Sequence, residues 1–492
     1  MFYRHSLKTP KTHNSIIEFA SFEGGMCRHI DPNIMPLRYA YNTYNFDISD
    51  GALKDGLGIE KLCSKHLEKP QDLTFPQGQI KSAWQFYLYD FSLLRRDDKL
   101  VLYISDGFLY YINLFDESCD FKKIPNSYFS SPPNFLNYRL NSQDVMIVTS
   151  PTDEMLVYNG VDEAYRVAQA PKISSMTVHY ERLFATSTGE SNQIWFSKEL
   201  DPINWDINLE SAGFIEMNDE RGALLKVMSF LDYVYVFREF GITRISAYAD
   251  QTQFFVSHLF TSSGRICPDT VTLCGDHVIF LTSSGLYAFD GLQTYKILEQ
   301  IFDGIKDIDN ARSVYYNGKY YLACNYDFSD GQKIHCENTD YVCNAVIEYD
   351  TIRKTYIIYR GIDIASFLVL KIGSKELLTF SCFKEHSGSL SILYQGSQYY
   401  GAEFIKAWQS PYTDLGRGDY IKTLKAIYLV SHTPCKLIIN ADGKEYIIDV
   451  EGSRLVKRIP LKLKFRLMSI CFLVTCSNSY ITRPMLELSI TK

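Results

Sequence analysis

The chain has 492 residues, with 50 basic and 57 acidic side chains and a net charge of −7 when His is neutral. Hydrophobic residues make up 46% and charged residues 22%, which excludes a disordered chain. The acidic balance argues against a dedicated nucleic-acid binder, which presents a basic face, and the length allows about two to four domains.

Residues 1–79 open with a polar, basic arm that lacks the apolar run of a secretory signal. Phe46–Leu53 then reads as a strand and turn suited to closing a ring by pairing with the last repeat, since closure removes exposed sheet edges. From residue 80 the apolar residues recur with a period close to two. Leu100–Ile104, Val145–Val148, Tyr233–Phe237, His277–Leu281 and Tyr320–Cys324 are short, rich in Val, Ile, Tyr and Phe, and bounded by turn residues, which predicts strands. Asp50-Gly51, Asp106-Gly107, Asn159-Gly160, Asp290-Gly291, Asn317-Gly318, Asp330-Gly331 and Asp442-Gly443 supply the positive φ of tight hairpins. The one short helix predicted is Leu298–Asp309. No apolar run reaches the roughly 20 residues of a spanning helix.

Leu102–Ile112 and Phe280–Phe289 resemble each other: strand, Ser-Asp-Gly or Ser-Ser-Gly turn, strand. Similar units recur at intervals that suit four-stranded propeller blades. Candidate blades fall near 80–125, 133–168, 174–208, 222–258, 268–300, 309–360 and 363–396. The expectation is an all-β protein: an arm and ring-closing strand at 1–79, a β-propeller of about seven blades (six to eight) at 80–400, and a C-terminal β-sandwich at 401–492.

The chain carries no phosphate-binding loop, nucleophile elbow or paired-histidine zinc motif. Cys27, Cys63, Cys119, Cys267, Cys274, Cys324, Cys336, Cys343, Cys382, Cys435, Cys471 and Cys476 are irregularly spaced. They read as buried, reduced thiols of a protein made in a cytosol. A zinc site from Cys324, Cys336 and Cys343 is the rival, at spacings wider than structural zinc sites use. His5, His13, His29, His66, His179, His258, His277, His335, His386 and His432 are scattered and read as surface or core residues. The acidic loop Asp303–Asp309 lacks the Asp/Asn ladder and closing Glu of a calcium loop. Tyr315-Tyr316, Tyr320-Tyr321 and Tyr399-Tyr400 read as blade packing or protein interface, with sugar binding as the alternative. The basic run Lys457-Arg458, Lys462, Lys464 and Arg466 reads as a guarded strand edge, with a phosphate-facing role as the alternative. The expectation is therefore no enzyme, no catalytic residue, no cofactor and no metal; channel and interface residues are left unassigned.

Three stretches resemble tailed-bacteriophage structural proteins. Phe22-Glu-Gly-Gly-Met26, Asp31–Pro36 and Ala40–Gly51 look like the opening of that group. Tyr180–Ala185, Asn192–Ser197 and Asp201-Pro-Ile-Asn-Trp205 are similar to its middle signature, and Ala407–Ser410, Lys422–Tyr428 and Leu437–Gly443 to its C-terminal sandwich. The group includes propeller-based tail nozzle (tail tubular) proteins. The resemblance implies a virion tail protein, made in the bacterial host cytoplasm. It would form a nozzle-like ring with itself, commonly a hexamer, below the portal and adaptor. That ring would carry tail fibres and pass DNA without sequence-specific binding. Two other functions stay open: a carbohydrate-binding or glycan-hydrolysing propeller of a virion, and a cytosolic propeller scaffold.

Overall fold

The computed structural model describes residues 12–19, 22–90, 94–209, 211–248, 250–328 and 341–491. Seven antiparallel sheets follow one another along the chain. The first contains Ile80–Phe86, Lys99–Ile104, Leu109–Asn113 and Lys122–Lys123. The second contains Asn134–Leu140, Gln143–Thr149, Met155–Tyr158 and Tyr165–Val167, and the third Ile173–His179, Arg182–Ser187, Gln193–Phe196 and Gly213–Glu216. Leu224–Phe230 to Phe255–Thr261 form the fourth, and Thr272–Cys274 to Thr294–Ile297 the fifth. The sixth is built on Arg312–Tyr316, Lys319–Tyr326, Ala345–Asp350 and Tyr356–Arg360. The seventh takes Ile364–Ile372, Lys375–Cys382 and Ser391–Gln395 and adds Leu57–Lys61 from ahead of the first sheet.

Each sheet is open, and face-to-face packing joins them into a circle. Strand alternation does this directly. In Gln143–Thr149, Met146 and Val148 pack against the first sheet, while Val145 and Ile147 pack against the third. Phe184 and Ile194 meet Val234 and Val236 between the third and fourth sheets. Phe237 meets Phe280 between the fourth and fifth, and Leu281 meets Leu322 between the fifth and sixth. The sixth and seventh share Tyr359, Leu378 and Phe380. Leu368, Leu370 and Ile392 of the seventh return to Ile80 and Leu102 of the first. The all-β propeller read from the sequence is the observed fold. Turn chemistry supports it locally: Asn317 and Gly318 both adopt positive φ, 48° and 78°.

Beside the propeller, two further sheets enclose a core around Trp408, Leu424, Ile427, Leu437, Ile439, Phe472 and Leu486. One sheet orders Thr12–Glu18, Met485–Thr491, Ile421–Ser431, Tyr480–Ile481, Leu53–Asp55 and Phe46–Asp47, with Ser453–Phe465 on the free side of Ile421–Ser431. The other orders Asn42–Tyr44, Lys406–Gln409, Met468–Val474, Cys435–Ala441 and Lys444–Val450. This core merges with that of the sixth and seventh sheets.

Two expectations change. The strand that joins the seventh sheet is Leu57–Lys61, whereas Phe46–Asp47 and Leu53–Asp55 pair within the sandwich. Glycine explains the choice. At Gly58 an added Cβ would lie 2.9 Å from the Tyr394 ring and 3.0 Å from the Gln398 carbonyl oxygen, so a side chain here would have to displace the ring and press on the backbone. The predicted helix Leu298–Asp309 is instead a single turn, Glu299–Phe302, then the short strand Ile305–Lys306 and a 3-10 turn at Ile308–Asn310. Among the described residues no helix is long and apolar enough to cross a membrane.

Candidate functional site

The strongest candidate lies where the two edges of the sandwich meet. Asp442 and Gly443 (φ 49° and 81°) turn Cys435–Ala441 back into Lys444–Val450, the edge strand of the five-stranded sheet. The chain then crosses at Glu451-Gly452 and runs out along the other sheet as Ser453–Phe465, which among the described residues pairs only with Ile421–Ser431. That pairing is irregular. Leu429 faces Lys457 and Ser431 faces Ser453, so Val430 alone opposes the segment Arg454-Leu455-Val456. The bulge pushes the segment away from the core. Leu455 is 78% exposed, Val456 59%, and Ile447 on the neighbouring edge 60%.

Charge follows the same edge. Ser453–Phe465 carries Arg454, Lys457, Arg458, Lys462 and Lys464 and no acid, in a chain with net charge −7. Arg458 is held by Glu487 at 3.0 Å and by the Tyr428 hydroxyl at 3.0 Å. The Tyr428 hydroxyl, then Arg458, hold the Glu487 carboxyl below its ordinary value. Lys457 pairs with Glu451 at 3.0 Å. Pro460 lies in register with Ala426 and has no N–H to offer a further strand. The edge therefore resists indiscriminate strand addition yet presents aliphatic and cationic side chains. A cavity of about 450 Å³ adjoins the crossing, lined by Cys435, Lys436, Asp449, Val450, Leu473 and Cys476 among others. Burial pushes the Cys435 thiol up.

A second cavity, about 270 Å³, opens between the sixth and seventh sheets beside Asp363, Cys382, Glu385, His386 and Tyr400. Asp363 is 5% exposed. One of its carboxylate oxygens accepts the Val342 and Cys343 amides at 3.1 and 3.0 Å. Among the described residues the other has no hydrogen-bond partner by geometry, and it is shut off from solvent. Burial holds the Asp363 carboxyl above its ordinary value and lowers His386. It also pushes the Cys382 thiol up to about 12. These groups are walled by packing: the Tyr400 hydroxyl bonds Ser391 at 2.8 Å, and its ring lies 3.7 Å from His386.

Residues singled out from the sequence fall as follows. Tyr320, Tyr321 and Tyr399 are buried, and Tyr320 donates to the Thr270 carbonyl at 3.1 Å. Tyr315, Tyr316 and Tyr400 are half-buried against the core clusters. Cys324 and Cys343 are buried, with the Cys343 thiol pushed up to about 12 by desolvation; Cys336 lies outside the described residues. Among the described residues, no three His, Cys, Asp or Glu side chains are grouped to hold a metal ion. In the acidic loop, Asp309 pairs with Arg265 at 2.9 Å and the Asp303 carbonyl accepts from Lys306 at 2.8 Å. The exposed segment Arg454-Leu455-Val456 was missed because its apolar pair reads as strand core; only the bulge turns it outward.

No family model matches the chain, and no curated protein matches it. Solved structures do. BBS1N in complex with ARL6DN is 13% identical, with a TM-score of 0.41 over 65% of this chain and 94% of that one. Chaetomium thermophilum Raptor is 9% identical, with a TM-score of 0.44 over 73% of this chain and 29% of that one. Kluyveromyces lactis Hsv2p is 8% identical, with a TM-score of 0.31 over 58% and 96%. All three are eukaryotic propeller proteins and none is a phage-tail component, which overturns the tail-nozzle function. The motifs behind it have packing roles here. Trp205 is buried and donates to the Pro202 carbonyl at 3.0 Å, closing a loop of the third sheet. Trp408 fills the sandwich core, its ring edge-on to Phe22 at 4.7 Å.

Proposed function

We propose that the chain is a propeller scaffold, without enzymatic activity, that docks a protein partner at the sandwich edge. The carrying observation is the bulge that holds Leu455 and Val456 in solvent beside five cations. Exposed aliphatic surface costs about 25 cal/mol per Å² that burial would recover, and clustered exposure of this kind marks interaction sites. The partner's complementary surface is acidic, because Arg454, Lys462 and Lys464 add cations to this edge beyond the two that Glu451 and Glu487 pair. A protein is favoured over a nucleic acid because the exposed apolar residues on this strand are aliphatic, not aromatic platforms on which bases stack. The free thiols of the described cysteines fit a reducing compartment.

The test compares proteins recovered with the wild-type chain and with the Leu455→Glu/Val456→Glu double variant. One stoichiometric protein partner is expected with the wild-type chain, released by salt and lost at least about tenfold in the variant, as for a hot-spot pair. Recovery of the same partners by both chains, or of nucleic acid alone, contradicts it.

A further inference from the structure

The joint that closes the propeller ring also assembles a nucleophile, a base and an orienting carboxylate. Glu60 lies on the closing strand Leu57–Lys61, opposite Ile392 of the seventh sheet. Cys63 follows as the N-cap of the one-turn helix Ser64–Leu67, and His66 is that helix's third residue. Leu62 and Leu67 anchor the segment in the core between the seventh and first sheets. The Cys63 sulfur lies 3.2 Å from His66 Nδ1. His66 Nε2 lies 3.1 Å from Glu60 Oε1. Nδ1 also accepts the Cys63 backbone N–H at 3.1 Å. That bond assigns the ring proton to Nε2, which donates it to Glu60, and the single Nδ1 lone pair is shared between the Cys63 amide and the Cys63 thiol.

Cys63 and His66 form a reciprocal capping box, but capping does not call for the Glu60 carboxylate on the far side of the ring. Caps are ordinarily Ser, Thr, Asp or Asn with Glu or Gln at the third position. Here the cap is a thiol, the third residue is an imidazole, and a carboxylate from another element fixes the ring. The order nucleophile, base, orienter is that of activated nucleophiles generally. The His66 side chain is 19% exposed and that of Glu60 45%, so the group is reachable from solvent.

We propose that Cys63 is a reactive thiol, with His66 as its base and Glu60 as a positioning residue, and that it takes low-molecular-weight disulfides. In the step, the Cys63 amide lets go of His66 Nδ1, the thiol proton passes to that nitrogen, and the thiolate attacks one disulfide sulfur. A new S–S bond forms as the old one breaks. The departing thiolate takes the proton back from His66, so Cys63 is oxidised and the incoming disulfide reduced.

The experiment uses the full chain. Each cysteine's alkylation by iodoacetamide at pH 7 is followed by peptide mass spectrometry, and mixed-disulfide formation with glutathione disulfide is followed in parallel. Cys119 and Cys476 are also half-buried and serve as internal references. Cys63 is expected to react at least about tenfold faster than both, the low end of what a positioned base contributes. His66→Gln separates chemistry from capping: glutamine at this helix position still accepts the Cys63 N–H but takes no proton at neutral pH. That variant should keep the wild-type melting temperature while Cys63 falls to the rate of Cys119. Glu60→Gln, at a half-exposed site, should lower the rate severalfold. A wild-type Cys63 no faster than Cys119 and Cys476 overturns the proposal, as does a folded His66→Gln chain with an unchanged rate.

Discussion

Two apolar-rich strands have opposite fates. Gln143–Thr149 lies inside the second sheet, and five consecutive residues of it, Val145 to Thr149, are buried. Ser453–Phe465 buries only its last residue. The difference is the neighbourhood. The first strand has a sheet on each face, so both sets of alternate side chains find apolar partners. The second has the sandwich core on one face only, where Ile459, Leu461 and Leu463 are half-buried. Its bulge then turns Leu455 and Val456 outward. Alternation sets which residues share a face; the neighbouring sheets set whether that face is covered.

The largest effect should come from the sandwich core that the edge strand borders. Trp408→Ala empties a fully buried site and should cost about 3–5 kcal/mol in urea unfolding. Leu455→Ala should stay within about 0.5 kcal/mol of wild type. Equal losses at the two positions would break the contrast between covered and uncovered faces.

Next come the two faces of Gln143–Thr149. Met146→Ala and Ile147→Ala should each cost about 2–5 kcal/mol, because each opens a cavity in a different interface. A near-neutral Ile147→Ala would show that the third sheet does not cover that face.

The smallest effect is a pH dependence. Burial raises the Asp363 carboxyl in the folded chain above its ordinary value of 3.8. The folded state therefore holds its proton more tightly than the unfolded state. This contribution stabilises the fold below about pH 3.8 and is lost as pH rises through the folded value. Asp363→Asn keeps an oxygen to accept the Val342 and Cys343 amides and carries no charge to bury. Wild-type stability should therefore fall relative to Asp363→Asn between pH 3.8 and neutrality, read from paired urea midpoints. A constant difference across that range would contradict the raised value.

The propeller was legible because its determinants are local: a meander of short alternating strands and turn dipeptides such as Asn317-Gly318. The sandwich was legible only in part. Thr12–Glu18 pairs with Met485–Thr491, from the opposite end of the chain, and no local pattern announces that partner. The phage-tail resemblance rested on motifs whose tryptophans close a loop and fill a core, needs that many β-proteins share. The site split likewise. The cations of Ser453–Phe465 read correctly as an edge, but a bulge is a property of register. Glu60, Cys63 and His66 stood at three-residue spacing, yet a strand followed by a one-turn helix was needed to turn them toward one another.

The most direct test of the docking account is hydrogen exchange, measured by mass spectrometry on the chain alone and with its co-purified partner. Added protection is expected across Lys444–Val450 and Ser453–Phe465, with little change in Gln143–Thr149, whose backbone is already enclosed. Unchanged exchange along the sandwich edge, with new protection confined to the propeller sheets, would contradict it.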